Sequence, residues 1–136
     1  MAQAHWPIRN DRPVIEVALT VGGSGQDLVR VLLADSGAGS RKSVFQLILS
    51  EQDCLQCGGM LMGHVQLGGA YSGMFPVYLV DVRIGPLNFG DPIPAVGVGQ
   101  VPSGFDGIAG FGFLDRFHYG NFGNPDYFGL DLLAGP

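Results

Sequence analysis

Val29-Arg30-Val31-Leu32-Leu33-Ala34-Asp35-Ser36-Gly37-Ala38-Gly39 is an apolar strand that runs straight into an Asp-Ser-Gly turn. A carboxylate is costly to place beside so much hydrocarbon unless partners stabilise it or chemistry needs it. Serine can donate a hydrogen bond, and glycine lets backbone approach closely. Upstream, Pro13 opens Val14 to Val21, where Ile15, Val17, Leu19 and Val21 alternate with smaller or polar residues, the two-residue period of a strand. Gly22-Gly23-Ser24-Gly25 turns the chain, and Gln26 to Ala34 returns as a second strand. Its apolar character on both faces predicts a central, covered position.

Working outward, residues 1–12 read as an N-terminal arm and 13–136 as a single domain. Ser43 and Gln46 have the spacing of a capping box, which predicts a helical turn or two over Val44 to Leu49. Gly58 to Gly73 reads as a hairpin around Gly68-Gly69-Ala70-Tyr71-Ser72-Gly73. Phe75 to Ile84 is a strand with Tyr78, Val80, Val82 and Ile84 on one face. Leu87 to Phe89 and Ala95 to Val98 follow as two short strands, Gly110 to His118 as a short helix, and Tyr127 to Leu133 as a last strand.

The composition narrows the function classes. Hydrophobic residues make up 46% of the 136 and charged residues only 14%, which leaves room for a buried subunit interface. The 23 glycines follow no collagen-like period, so a turn-rich β protein is expected. A net charge of −5 argues against a nucleic-acid surface. No apolar run is long enough for a membrane span. Met1 to Pro7 lacks the features of a signal peptide, which points to the cytoplasm.

A second stretch carries the argument further. Phe105-Asp106-Gly107-Ile108-Ala109-Gly110-Phe111-Gly112-Phe113-Leu114 places small residues where backbone must pass close behind a buried turn. Together with the strand ending in Asp35-Ser36-Gly37-Ala38, it resembles the aspartic proteases, in which an apolar-apolar-Gly segment packs beside the active-site turn. One Asp-Ser-Gly occurs in the chain. The similarity is therefore to the short, retroviral-type (retropepsin-like) members, where two chains each supply one Asp.

That resemblance implies a mainly β fold: a closed acid-protease-like β-barrel with a flap hairpin and one or two short helices. It implies a homodimeric endopeptidase acting on a peptide or protein substrate, with no metal or organic cofactor. Asp35 would be catalytic, facing its own copy across a two-fold axis. Like charges held about 3 Å apart cannot both ionise, so such a pair holds one proton and serves as base and acid together. Ser36, Gly37 and Ala38 would support the turn, with Ile108, Ala109 and Gly110 behind it. Gly68, Gly69, Ala70, Tyr71, Ser72 and Gly73 fall where the family carries its flap. Asp106-Gly107 lacks the hydroxyl residue and has no catalytic role in the family pattern. The family more often has Thr where Ser36 stands, an exchange that keeps the hydroxyl.

Plainer readings stand beside these. An Asp-Ser-Gly triplet also serves as an Asx turn closing a strand, and the rival function is a non-catalytic β-barrel that binds a peptide or partner chain. Cys54 and Cys57 have the spacing of half a zinc site or a redox pair, but no second pair exists and His5, His64 and His118 are scattered. Two thiols near a helix end, or a local disulfide, is the favoured reading. The Gly22 to Gly25 loop joins two strands and lacks the lysine and helix of a phosphate loop.

Overall fold

The computed structural model describes residues 3–22 and 24–133 of the chain. The alternating segments form as their period requires: β2 (Val14–Thr20) and β3 (Asp27–Ala34) pair antiparallel along their whole length. Then come β4 (Leu47–Ser50), α1 (Glu51–Gln56), β5 (Met60–Leu67) and β6 (Gly73–Ile84). They are followed by β7 (Phe89–Val98), β8 (Gly107–Ala109) and α2 (Phe111–Leu114). Six strands run in the order β2-β3-β8-β4-β7-β6, and the sheet closes where Ala18 and Leu19 of β2 meet Arg83 and Val82 of β6. Closure removes the free edges of the sheet. The twelve-residue β6 outruns the barrel, and its first half pairs with β5 as a projecting hairpin.

Two apolar clusters follow from strand alternation. Ile15, Val17, Leu19, Leu32, Val80, Val82 and Ile84 fill the barrel. Leu33, Ile48, Val96 and Ile108 are their sequence-adjacent counterparts on the opposite face, gathered with Val77 and Leu67 beneath the hairpin. Strands β3, β4, β7 and β8 are thus covered on both faces, which is why β3 is apolar throughout its second half. One end of the barrel is sealed by Phe89, Phe113 and Phe117, with ring centroids 5.2–5.9 Å apart.

A separate three-stranded sheet joins the ends of the chain. Here β1 (Ala4–Pro7) pairs with β10 (Tyr127–Leu132), which pairs with β9 (Phe117–Gly120). The N-terminal arm therefore contains a sheet strand, with Ala4 buried in the core. Among the described residues no helix is long and apolar enough to cross a membrane.

Three expectations are corrected. No helix forms over Val44 to Leu49. Leu47, Ile48 and Leu49 are a buried strand between β7 and β8, and the helix begins after it, at Glu51. Ser50 Oγ accepts from the Asp53 amide at 3.1 Å, the bond that starts α1. Burial on both sides of a three-leucine-like run outweighs the earlier Ser43–Gln46 spacing. Second, Phe89 to Val98 is one strand rather than two pieces, and Leu87 lies in a 3-10 turn (Gly85–Leu87) closed by Asn88 at φ 51°. Pro92 and Pro94 do not interrupt it. The Pro94 carbonyl accepts from the Gln46 amide on the side away from β6, so its missing N–H takes nothing from the β6 ladder. Third, the helix after Gly110 ends at Leu114, and Phe117 and His118 open β9.

Candidate active site

Asp35 sits where β3 leaves the barrel. Its amide donates to the Ala109 carbonyl at 2.9 Å, and the preceding Ala34 amide donates to the Pro13 carbonyl at 2.9 Å. β3 and β8 run parallel here, with Leu33 opposite Ile108 and Ala34 opposite Ala109. The carboxylate then turns back on its own loop: Oδ1 accepts from the Gly37 amide at 2.9 Å. The Ala38 amide closes the turn on the Asp35 carbonyl at 3.0 Å. Gly39 follows at φ +80°, a conformation that suits glycine.

The two sequence motifs meet in space. The Ala38 carbonyl accepts from the Phe111 amide at 2.8 Å, and the Gly110 amide donates to the Gln46 carbonyl at 2.9 Å. A Cβ on Gly110 would lie 2.7 Å from the Ala38 oxygen, so glycine is what lets the segment pass behind the turn. Ala109 is fully buried and Ile108 nearly so. Ser36 is exposed, and its hydroxyl makes no hydrogen bond among the described residues. Asp106 is occupied elsewhere. Its carboxylate accepts from the Val31 amide at 2.8 Å while its amide donates to the Val31 carbonyl, so it extends β3 as a ladder partner.

A cleft of about 660 Å³ opens over Asp35. Leu33 and Ile108 form its floor beside the carboxylate, and Ala70, Tyr71 and Phe75 come from the hairpin. The Tyr71 ring packs edge-on against Phe75, with centroids 6.4 Å apart. Burial raises the Tyr71 phenol above its ordinary range, so it stays a neutral hydrogen-bond donor. The other predicted hairpin residues do not line the cleft. Gly68 and Gly69 are exposed at the turn, and Ser72 (φ 37°) and Gly73 (φ +144°) carry the bend into β6.

The cleft has further walls that sequence reasoning missed: Arg12 on one side, and Gly99, Gln100, Val101 and Pro102 of the β7–β8 connection on the other. No pattern marks these residues in the sequence. They follow from where the connection lands once β8 is inserted between β3 and β4.

The cysteines lie apart from the cleft. Cys54 is within α1 and Cys57 closes it, both buried and both free thiols. Burial pushes the Cys54 thiol up to about 12 and raises that of Cys57 as well. Next to them Asp53 takes a bidentate pair from Arg30 of β3, at 2.8 and 3.0 Å. Among the described residues no three His, Cys, Asp or Glu side chains converge as metal ligands. No family model matches the chain, and no curated protein matches it either.

Proposed function

We propose that the protein is a homodimeric aspartic endopeptidase of the retropepsin-like kind, hydrolysing peptide bonds with Asp35 of each chain. The observation that carries this reading is the placement of the Asp35 carboxylate. It lies at the floor of an open, largely apolar cleft, steadied by the Gly37 amide and backed by the Ile108-Ala109-Gly110 segment. A structural aspartate has no need of such a cleft, and Asp106 illustrates the contrast by spending both its groups on Val31.

One carboxylate per chain is half of an acid–base pair. In a two-fold dimer the second Asp35 completes it. One member takes a proton from water as the water oxygen attacks the peptide carbonyl carbon, and the other gives its proton to the carbonyl oxygen. The C–N bond then breaks as the amine leaves with a proton from the pair. Ser36, exposed and without a side-chain partner among the described residues, can bond across the axis. The β5–β6 hairpin acts as the flap. Its tip, through Ala70 and Tyr71, already reaches the cleft, and its backbone can bind an extended substrate as an added strand.

The test uses the purified chain with casein and quenched-fluorescent peptides carrying an apolar pair, at mildly acidic pH, alongside its mass in solution. A dimer whose cleavage is blocked by a statine-type transition-state mimic is the expected result. A strict monomer that cuts nothing would contradict it and leave a barrel that binds peptides without cutting them.

A further inference from the structure

Among the described residues Arg12 is the cleft's only charged lining residue besides Asp35, and its guanidinium pairs with no carboxylate there. Its backbone, in contrast, is fixed. The Arg12 amide donates to the Arg9 carbonyl at 2.9 Å and the Arg9 amide to the Arg12 carbonyl at 3.0 Å, closing a two-residue turn. Asn10 and Asp11 take φ of 51° and 59° there, the left-handed values of a tight hairpin turn. The next residue, Pro13, has a locked φ, and its carbonyl holds the Ala34 amide, one residue before Asp35. The turn also abuts the β7–β8 connection just past the residues that wall the cleft, since Asn10 Nδ2 lies 3.2 Å from where a Cβ on Gly104 would stand. A rigid mount thus presents an unpaired cation at the rim of an apolar cleft.

Resting on the peptidase reading above, we propose that Arg12 sets substrate charge. The enzyme selects a peptide with apolar side chains at the scissile bond and an aspartate or glutamate within a few residues of it. The apolar requirement comes from Leu33, Ile108, Phe75 and Val101. The acidic one comes from the guanidinium fork, which matches a carboxylate with two parallel hydrogen bonds. Such a charged bond at an exposed rim corresponds to about a three- to fivefold preference over a neutral isostere. A lysine at the same place is repelled. Because the dimer axis repeats the cleft, the preference appears on both sides of the cut. It weakens as salt screens the pair.

The experiment compares kcat/KM for one apolar-pair peptide with Glu, Gln or Lys scanned through the flanking positions, in wild type, Arg12→Gln and Arg12→Glu. The expected result is about a three- to fivefold Glu-over-Gln ratio at a flanking position in wild type, carried mainly by KM and shrinking with added salt. That ratio falls to near one in Arg12→Gln, and Lys overtakes Glu in Arg12→Glu. Peptides cut by wild type with no charge preference, or with a preference untouched in Arg12→Gln, overturn this inference and leave the peptidase reading standing. A protein that cuts none of them overturns both. Titration of each variant with a statine-type mimic confirms that the cleft has formed, so a misfolded variant is not counted.

Discussion

Gly107 lies so close to Ile48 that a Cβ added to it would stand 2.3 Å from the Ile48 carbonyl oxygen. The neighbour is backbone of the adjacent strand, so no rotamer change can relieve it. Gly107 is therefore what allows β8 to lie between β3 and β4 and bring Ala109 to the amide of Asp35. Gly107→Ala is expected to cost about 3 kcal/mol by overpacking, read as a lower urea midpoint. Gly68→Ala, where a Cβ meets open space, is the control and is expected to shift stability by under about 0.5 kcal/mol. Equal behaviour of the two variants would contradict the packing described.

The Arg30–Asp53 pair ties β3 to the helix behind it, with side chains 26% and 11% exposed. Asp53→Ala removes one half and leaves the other beside the core. The expected loss is about 2 kcal/mol, less than for a fully buried pair because Arg30 keeps some water. A double-mutant cycle with Arg30→Met measures the coupling directly, and a coupling near zero would show the pair to be idle.

Cys54 gives a pH signature. Its folded thiol titrates at about 12, against 9.0 for the free group, chiefly because burial disfavours the thiolate. The raised value means the folded protein holds the proton more tightly than the unfolded chain. That contribution is whole below about pH 9 and is lost as pH rises from there toward 12. Urea midpoints should fall above pH 9, and Cys54→Ala should flatten the fall. At neutral pH neither cysteine should react readily with thiol reagents unless the chain is unfolded.

Ser50 caps α1 through the Asp53 amide. Ser50→Ala should cost about 1 kcal/mol, whereas Ser43→Ala should not act as a helix cap at all. Thermal melts check this: Ser43→Ala loses only the loop bond that its hydroxyl accepts from the Ser40 amide, and an unchanged melt in Ser50→Ala would contradict the helix boundary.

These outcomes bear on how far the sequence could be read. Alternation in Ile15-Val17-Leu19 and Tyr78-Val80-Val82-Ile84 is a local property, and those strands lie where it puts them. That the Asp35 turn and the Ile108-Ala109-Gly110 segment lie together is what the family resemblance implies; the bond from the Phe111 amide to the Ala38 carbonyl is seen only in the fold. Leu47-Ile48-Leu49 misled because its state is decided by β7 and β8 on either side, which are distant in sequence. The sequence reading breaks Phe89 to Val98 into separate pieces; it is one strand because the Pro94 nitrogen faces away from the β6 ladder, which only pairing reveals. Arg12 left no trace at all. A lone arginine before a proline becomes notable only when folding brings it to the rim of the cleft over Asp35.

The most direct test of the central claim is the rate at which Asp35→Asn cleaves an apolar-pair peptide relative to wild type, at mildly acidic pH and equal dimer concentration. The substitution keeps the shape of the side chain and removes its acid–base chemistry. The account predicts a fall of about 10²–10⁴-fold with circular dichroism and dimer mass unchanged. An Asn variant that cuts as fast as wild type would contradict it.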